Sequence, residues 1–521
     1  MSGPIGSSGP RSSSSVGGPG PSGAGGPRRA SGAGRRRVDA RDTAQGEAEA
    51  FATRLPAGLV LGITSSAFQI EGGVRDGGRE PSVWDDFSHQ PGRIEGGATA
   101  DVAADHYHRV SEDVALLAGL GVGSYRFSFG WPRLQPTGSG SLNRDGVTFY
   151  DRLLDELLAA GVSPMATLFH WDTPSALAGG WLNRDTASRF GDYAYAMGEQ
   201  FGDRVDRWVT LDAPATVMLE GYAFGRHAPG STRGLDALPA GHHLLLGHGI
   251  AVEALRAVPV EGRIGIANAY SPVSALTSSD DDTQFAELWN LVHNHMFGDA
   301  VLRGSYPDVP DAFARVLRPL FEAPGGDLAR IHQPLDFYGV DYSSPTRIAA
   351  GVLPSVLGDL RASGGALGSL PFHIAPWPEF DRTPSGLPNA PEFLGVALAE
   401  LGARYGAALP PVHVTSIGLG LADRVVLDAA TGAPRIADAR RIDYLTEHVV
   451  AALDAAPAAE GASGAGGVRL EGIHLRSLLD GFEWTAGYSL RYGLVHVDPN
   501  TRDRTPKESF AWLQRVLEAR S

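Results

Sequence analysis

The chain has 521 residues, of which 43% are hydrophobic, a formal net charge of −15 and no cysteine. Its mean hydropathy of −0.10 is that of a soluble globular protein. The lack of cysteine excludes disulfides, thiolate metal sites and thiol catalysis. The acidic balance argues against a nucleic-acid partner, because phosphate binding needs clustered cations. The sequence contains no run of about eighteen apolar residues, which argues against a membrane span.

Two segments are predicted to lie outside the folded core. Residues 1–47 are largely Gly, Ser, Pro and Arg, so they cannot bury enough apolar surface to offset the entropy of ordering, and we predict a disordered tail. No apolar export-signal stretch follows the Arg35–Arg37 run, which predicts a cytoplasmic location. Residues 456–467, APAAEGASGAGG, predict a flexible surface loop. The folded domain is therefore assigned to residues 48–521.

Eight apolar, β-rich runs alternate with helical patterns along the folded domain. The helical pattern is clearest at Thr148–Gly161, where apolar residues recur at helical spacing before a closing glycine. Near-continuous apolar runs are typical of parallel strands that are buried on both faces. The alternation predicts an α/β fold, a single-domain (β/α)₈ TIM barrel with its chemistry at the carboxyl ends of the strands. The runs start at Leu59, Ser124, Ser163, Val205, Arg263, Leu335, Pro411 and Gly472.

Polar and aromatic residues accompany these runs. Carboxylates and amides beside aromatic faces suit a sugar, because sugar C–H faces stack on Trp and sugar hydroxyls take paired hydrogen bonds. Any one of these side chains alone is more simply a satisfied core group, but their convergence on one barrel mouth predicts a binding site. The residues are Gln69, Glu71, Arg126, His170, Trp171, Asp212, Asp341, His413, Arg476, Glu483 and Trp484.

Several longer motifs occur in order along the chain. They include SSAFQIEGG, SVWDDFSHQPGRI, SYRFSFGWPRLQP, FYDRLLDELLAAGVSPMATLFHWDTP, GGWLNRDT, GYAFGRHAPG and LLDGFEWTAGYSLRYGLVHVD. This series resembles glycoside hydrolase family 1, the β-glucosidases and their relatives, and is collinear with it from Leu55 to Ala519. The resemblance implies a TIM barrel that acts on a small-molecule sugar or glycosylated metabolite, with no metal or organic cofactor.

The resemblance also implies where the catalytic pair of the family would stand. The retaining mechanism uses two carboxylates about 5 Å apart, one as acid and then base, the other as nucleophile. The acid/base position, in a Thr-Leu-Asn-Glu-Pro motif after strand four, is Ala213 here. The nucleophile position, in a Thr-Glu-Asn-Gly motif after strand seven, is Ser416. We therefore expect retaining hydrolysis to be lost, because Ala213 carries no proton and Ser416 needs an adjacent base.

Other positions near the reacting end of the sugar differ from the family as well. By the resemblance, Asp212 replaces the Asn that holds the sugar 2-hydroxyl, and Ser343 replaces a Tyr that contacts the nucleophile. Arg476 replaces the Trp beneath the sugar, and Ala215 replaces an aromatic beside the leaving group. The residues that hold the outer sugar hydroxyls are retained, and we expect them to bind substrate: Gln69, His170, Trp171, Glu483 and Trp484.

Three functions remain open at this stage. The first is a sugar-binding protein that does not hydrolyse glycosides. The second is a repurposed biosynthetic enzyme that performs acid/base chemistry on a glycosylated or polyol metabolite. The third is a weak hydrolase that uses a displaced carboxylate such as Glu220. The candidate catalytic residues of the second function are Asp212, Asp341, His170 and Arg476.

The two aspartates distinguish these functions. Two neighbouring carboxylates predict one raised pKa, with Arg476 lowering the other. An acid and a base near neutrality would serve proton transfer. The alternative is that Asp212 and Asp341 are hydrogen-bonded replacements for Asn residues of the family, paired with Arg476. An Arg beneath the sugar also favours a carboxylate or phosphate on the ligand.

Overall fold

The computed structural model describes residues 40–315, 317, 325–351, 370–427, 432, 434–456 and 467–520. Of the predicted disordered tail, residues 1–39 lie outside this part of the chain, as do residues 457–466 of the predicted loop. The first helix, α1, spans Ala40–Ala52, so residues 40–47 are helical and the tail prediction extends too far. The compact unit that contains the barrel begins at Ala44.

Helix α1 forms because the composition changes at Ala44, within the predicted tail of residues 1–47. From Ala44 the sequence is rich in Ala, Glu and Gln, which are strong helix formers. Ala48 and Phe51 are buried, and the Phe51 ring lies 5.4 Å from the ring of Trp512. An average composition over residues 1–47 conceals this start.

Eight parallel strands form a closed barrel, which confirms the predicted fold. Each strand pairs with its neighbours in chain order, and the last pairs with the first. Each predicted apolar run overlaps one strand. The strands are β1 (Val60–Thr64), β2 (Ser124–Ser128), β3 (Ser163–Phe169), β4 (Arg207–Asp212), β5 (Arg263–Ala269), β6 (Phe337–Asp341), β7 (Val412–Ile417) and β8 (Leu470–Arg476).

Long helices connect the strands. After α1 they are α2 (His106–Leu120), α3 (Arg144–Ala159), α4 (Asp185–Phe201), α5 (Leu238–Arg256), α6 (Asp280–Asn290), α7 (Met296–Arg303), α8 (Glu392–Tyr405), α9 (Ala439–Ala455) and α10 (Glu508–Glu518). The helix predicted at Thr148–Gly161 is α3, which starts four residues earlier and buries Phe149, Leu153 and Leu157. No helix within the described ranges is long and apolar enough to cross a membrane.

Shorter elements occupy the connections. The small strands Val273–Ala275, Thr346–Ala350 and Phe372–Ile374 form one sheet, and Val426–Leu427 pairs with Pro434–Arg435, as Val495–Val497 does with Arg504–Pro506. Short α-helical turns span Ala67–Ile70, Val83–Ser88, Trp131–Leu134, Pro214–Thr216 and Asp327–Ile331. Two π-helical turns span Val217–Ala223 and Leu291–His295. Short 3₁₀ turns span Glu95–Gly97, Gly180–Leu182, Gly234–Ala237, Asp311–Phe313, Gly406–Ala408 and Trp484–Ala486.

Strand register brings polar side chains together at the carboxyl ends of the barrel. Ser416 on β7 pairs with Asp341 on β6. Thr64 on β1 pairs with Arg476 on β8 and with Arg126 on β2. Because parallel strands in a TIM barrel end at one face, these residues border a single opening. A separate apolar cluster lies between strands β3 to β6 and consists of Met165, Val209, Ala267 and Phe337.

Candidate functional site

A cavity of about 470 Å³ opens at the carboxyl ends of the strands, and we call it the sugar cavity. It brings together most of the residues singled out from the sequence, namely Gln69, Arg126, His170, Trp171, Asp212, Asp341, Ser416, Arg476, Glu483 and Trp484. Sequence reasoning missed several smaller lining residues, including Thr64, Ser65, Ser66, Ser477 and Leu479. The retained SSAFQ motif was the one signal for the serines, because it contains both Ser65 and Ser66.

Two residues predicted for the barrel mouth lie elsewhere. The carboxylate of Glu71 accepts hydrogen bonds from Arg133 Nε, at 2.8 Å, and from the Tyr150 hydroxyl. It is therefore part of a buried network beside the cavity. His413 is the second residue of β7, so it lies near the amino-terminal end of that strand, fully buried and 3.7 Å from Glu471. His413 was misassigned because it is the third residue of the run from Pro411 and so precedes the carboxyl end of the strand, whereas Glu71 follows its strand but is held by Arg133 and Tyr150.

Glu220 does not line the sugar cavity either. Its two carboxylate oxygens accept hydrogen bonds from Nε and Nη2 of Arg226. Glu220 stands seven residues after Ala213, so an α-helix of 3.6 residues per turn would put the two side chains on one face. Glu220 instead lies in the π-helical turn Val217–Ala223, where each turn holds more residues and the side chains rotate out of α-helical register.

Ala213 follows β4 in a left-handed backbone conformation. Its φ is 42°, which is unusual for a residue with a Cβ atom, and its side chain is buried. The Ala213 N–H donates to the carbonyl of Ala267 at 2.8 Å, which fixes this conformation. A methyl group at this position can neither give nor accept a proton.

Asp212 is the most tightly held carboxylate of the cavity. It forms an ion pair with Arg126 and lies 3.3 Å from His170 Nε2. Burial alone would raise the pKa of Asp212, but His170 and Arg126 outweigh that effect and hold the pKa below its ordinary value. Burial in turn lowers the pKa of His170 to about 4, so its imidazole is neutral at pH 7.

Asp341 has the opposite electrostatic setting. Burial, followed by repulsion from the Asp212 carboxylate, raises the pKa of Asp341 to about 7. Arg126, Arg476 and a hydrogen bond with Ser416 act against this rise without cancelling it. Of these two aspartates, Asp212 is therefore ionised at neutral pH and Asp341 is partly protonated there.

Arg476 forms an ion pair with Glu483, whereas one alternative from the sequence paired it with Asp212 and Asp341. One Nη2 contact joins it to Glu483 Oε2, and its guanidinium lies 4.4 Å from the ring centre of Tyr492. Asp212 takes Arg126 as its partner instead. Arg476 and Glu483 are close because Arg476 ends β8 and Glu483 lies in the loop that follows it, seven residues later.

The amide of Gln69 and the carboxylate of Glu483 form one hydrogen-bonded unit. Gln69 Nε2 donates to Glu483 Oε2 at 3.0 Å and to the Phe482 carbonyl at 2.9 Å. The Ser66 hydroxyl donates to Gln69 Oε1 at 2.8 Å and so fixes the amide orientation. Burial raises the pKa of Glu483 to about 7, although Arg476 and Gln69 oppose the rise. The unit offers paired donors and acceptors to a polyol.

Tryptophan rings form an apolar wall beside this unit. The ring centres of Trp171 and Trp484 are 4.4 Å apart, and the ring centre of Trp84, which does not line the cavity, lies 4.5 Å from that of Trp484. Trp171 Nε1 donates to the Asp212 carbonyl at 3.0 Å, which ties the wall to the end of β4. An apolar wall next to fixed polar groups is what a sugar ring requires.

A closed (β/α)₈ barrel with a polar cavity beside tryptophan rings suits carbohydrate binding, and comparison with known proteins gives the family. The sequence profile described as glycosyl hydrolase family 1 matches residues 51–521. The chain belongs to this family. Its resemblance at the level of motifs is thereby confirmed.

Several relatives show how far the likeness extends. Beta-glucosidase A of Thermotoga maritima is 35% identical over 468 residues, which cover 89% of this chain and 98% of the relative. Thermostable beta-glucosidase B of Thermobispora bispora is 40% identical over 469 residues, covering 89% and 90%. Among solved structures, the psychrophilic beta-glucosidase BglU of Micrococcus antarcticus has a TM-score of 0.80 at 36% identity, covering 91% of this chain and 99% of its own. This chain therefore has the complete β-glucosidase fold.

Proposed function

We propose that this protein binds a sugar or glycosylated metabolite in the sugar cavity and does not hydrolyse glycosides by the retaining route of its family. One observation carries the proposal: the positions that the motifs assign to the two catalytic glutamates are Ala213 and Ser416. The retaining route needs a covalent intermediate on a carboxylate and a second carboxyl group that transfers the proton. Neither side chain supplies these groups.

Two of the three carboxylates that line the cavity are already engaged by cations or amides. Asp212 is engaged by Arg126 and His170, and Glu483 is engaged by Gln69 and Arg476. A carboxylate held in this way is a poor nucleophile, because attack would break its ion pair in a buried setting. The retained Gln69–Glu483 unit and the tryptophan wall support binding of a sugar ring.

The names of the relatives favour the opposite outcome, ordinary glycoside hydrolysis, and an assay of the wild-type protein decides between the two. We expect aryl β-glucosides to be cleaved no faster than by the Gln69→Ala variant or by buffer. The proposal fails if turnover is of ordinary enzymatic size, on the order of 10 per second, and Gln69→Ala abolishes it. The dependence on Gln69 excludes a contaminating hydrolase as the source.

Sugar binding itself has a separate test. Each sugar hydroxyl that loses its buried partner costs about 1 to 3 kcal/mol, so Gln69→Ala should weaken binding by that amount. Isothermal titration with glucose and with methyl β-glucoside measures the change. The exposed Gln90→Ala is the matched control and should bind as wild type does. Equal affinities of Gln69→Ala and wild type would place the ligand outside the sugar cavity.

A second candidate function is acid/base chemistry on a glycosylated or polyol metabolite. The opposed pKa values of Asp212 and Asp341 favour it, because one site then holds both a base and a proton donor near pH 7. Asp341→Asn would abolish turnover of such a substrate while leaving its binding within about threefold. Loss of binding together with turnover would instead assign Asp341 to recognition alone.

A further inference from the structure

A second cavity of about 390 Å³ lies beside the sugar cavity, and we call it the side chamber. Two residues, Ser416 and Arg476, line both spaces and so form the partition between them. The side chamber extends between the end of β7 and the segment that carries Thr383 and Ser385. A ligand that fills both spaces must pass the Ser416 hydroxyl.

Short side chains keep this passage open. The family motifs place a Glu at position 416 and a Tyr at position 343, and this chain has Ser at both. Ser343 lines the side chamber, and Ser416 lines both cavities. Each serine is smaller than the Glu or Tyr that the family has at that position. The two substitutions therefore leave space in the passage at Ser416 and in the side chamber at Ser343.

The side chamber has the chemistry of an anion site. Its lining includes the hydroxyl side chains of Ser343, Thr383 and Ser385, and none of the lining residues within the described part of the chain carries a carboxylate. Arg476 supplies the positive charge. The contact with Glu483 uses one of the five N–H donors of a guanidinium, which leaves others for a ligand. The ring of Tyr492 beneath the guanidinium holds it in place.

The position of Ser416 also defines the configuration of the group that enters. In a retaining β-glycosidase the nucleophile attacks the anomeric carbon on the face opposite the β-linked leaving group, which is the α face. A substituent that leaves the sugar on the Ser416 side is therefore α-linked. On the basis of the proposed function, we propose that the side chamber binds an anionic substituent α-linked to the anomeric carbon of the sugar held in the sugar cavity.

Isothermal titration at pH 7.5 with five probes tests this inference. We expect α-glucose 1-phosphate to bind at least tenfold more tightly than glucose, methyl α-glucoside and β-glucose 1-phosphate. The methyl glycoside tests the α-configuration without charge, and the β-phosphate tests the charge in the other configuration. Equal affinity for the two phosphates would overturn the inference, because the protein would then bind the phosphate group in either configuration and the side chamber would not be its site. Inorganic phosphate alone should bind at least tenfold more weakly than α-glucose 1-phosphate.

Two variants separate the side chamber from the sugar cavity. Ser343→Tyr fills the chamber from an exposed position, and we expect it to reduce the affinity for α-glucose 1-phosphate to that for glucose, with glucose binding unchanged. Ser385→Ala removes one hydroxyl and should weaken the phosphate threefold to tenfold. If both variants keep the full preference for the α-phosphate, the inference is wrong while sugar binding stands. If Gln69→Ala leaves every probe unchanged, the proposed function fails as well.

Discussion

At the residue scale, Asp212 and Asp341 are unequal although both occupy positions where the family motifs have Asn. Asp212 has Arg126 as a direct partner, whereas Asp341 has the Ser416 hydroxyl and a neighbouring negative charge. The same chemical change, Asp to Asn, should therefore have opposite effects on stability at the two positions. If Asp212 and Asp341 did not interact with different partners, the two Asp→Asn substitutions would have similar effects on stability.

Asp341→Asn should stabilise the protein above pH 7. The pKa of Asp341 rises from an ordinary 3.8 in the unfolded chain to about 7 in the folded protein. Its contribution to stability is full below the unfolded pKa and is lost as the pH rises through the folded pKa. We expect the variant to gain about 4 kcal/mol well above pH 7 and nothing below pH 4, measured by urea unfolding across this range. The exposed Asp381→Asn, as control, should follow the wild-type curve.

Asp212→Asn should destabilise the protein at neutral pH. Its folded-state pKa is lowered, so its contribution is present above the unfolded pKa and is lost as the pH falls through the folded pKa. The amide removes the direct ion-pair partner of the buried Arg126 guanidinium, at an expected loss of about 2 kcal/mol at pH 7. The difference from wild type should shrink in acid. A stabilised Asp212→Asn would mean that the Arg126 ion pair contributes nothing to folding.

At the element scale, the tryptophan wall depends on a six-residue helical turn. Residues Val83–Ser88 begin with a capping box in which the Ser82 side chain accepts from the Asp85 N–H and the Asp85 side chain accepts from the Ser82 N–H. The turn carries Trp84, whose ring supports Trp484 in the sugar cavity. The capping box in the sequence SVWDDF thus helps to position Trp484, which lies 400 positions after Trp84 in the chain.

Ser82→Ala should weaken both folding and sugar binding. The loss of the cap is expected to lower the free energy of unfolding by about 1 kcal/mol, and Trp484 loses a fixed neighbour. Ser279→Ala is the matched control, because Ser279 caps α6 in the same way, by accepting from the Asp282 N–H, and no residue of that helix lines the sugar cavity. Similar losses of stability are expected, measured by thermal unfolding, with weaker glucose binding in the Ser82 variant alone. Unchanged binding in both would separate the capping box from the site.

The sequence predicted those strands and helices whose hydrophobic residues recur at a regular spacing. It did not predict elements whose backbone departs from that spacing. The runs from Leu59 to Gly472 located all eight barrel strands because parallel strands are apolar on both faces. The π-helical turn at Val217–Ala223 has no such signature, and the expected position of Glu220 was wrong for that reason. His413 was misplaced because the polar residues of each run were considered together, although His413 stands near the amino-terminal end of its strand.

At the scale of the whole molecule, the motifs fixed which residues border the sugar cavity, and long-range pairing decided their states. Gln69 and Glu483 are 414 positions apart and share a hydrogen bond, which a family motif anticipates. The pairing of Arg476 with Glu483 arises in this chain from a changed residue beneath the sugar, so no family pattern predicts it. Partners of new charged groups follow from three-dimensional distances that the sequence does not contain.

On the proposed function, the replacement at position 416 is coupled to the neighbouring strand, so restoring one glutamate should not restore activity. A glutamate at position 416 would lie beside Asp341 on the neighbouring strand. Repulsion between the two carboxylates raises a pKa and leaves a protonated, unreactive group. Ser416→Glu alone should therefore be inactive near neutral pH, whereas Ser416→Glu combined with Asp341→Asn should carry an ionised nucleophile.

The double variant should react once and then stop. A dinitrophenyl β-glucoside needs no proton for its leaving group to depart, so Ser416→Glu/Asp341→Asn should release about one equivalent of dinitrophenolate in a burst. Hydrolysis of the glycosyl-enzyme then stalls, because Ala213 cannot activate water. Addition of Ala213→Glu should raise the steady-state rate by about 10² to 10⁴ and remove the burst. Stopped-flow absorbance measures both phases, and mass spectrometry identifies the trapped glycosyl group on position 416. If glucose still binds and no burst occurs, Arg476 rather than the missing glutamates blocks the anomeric carbon, and Arg476→Trp in the same background should restore the burst.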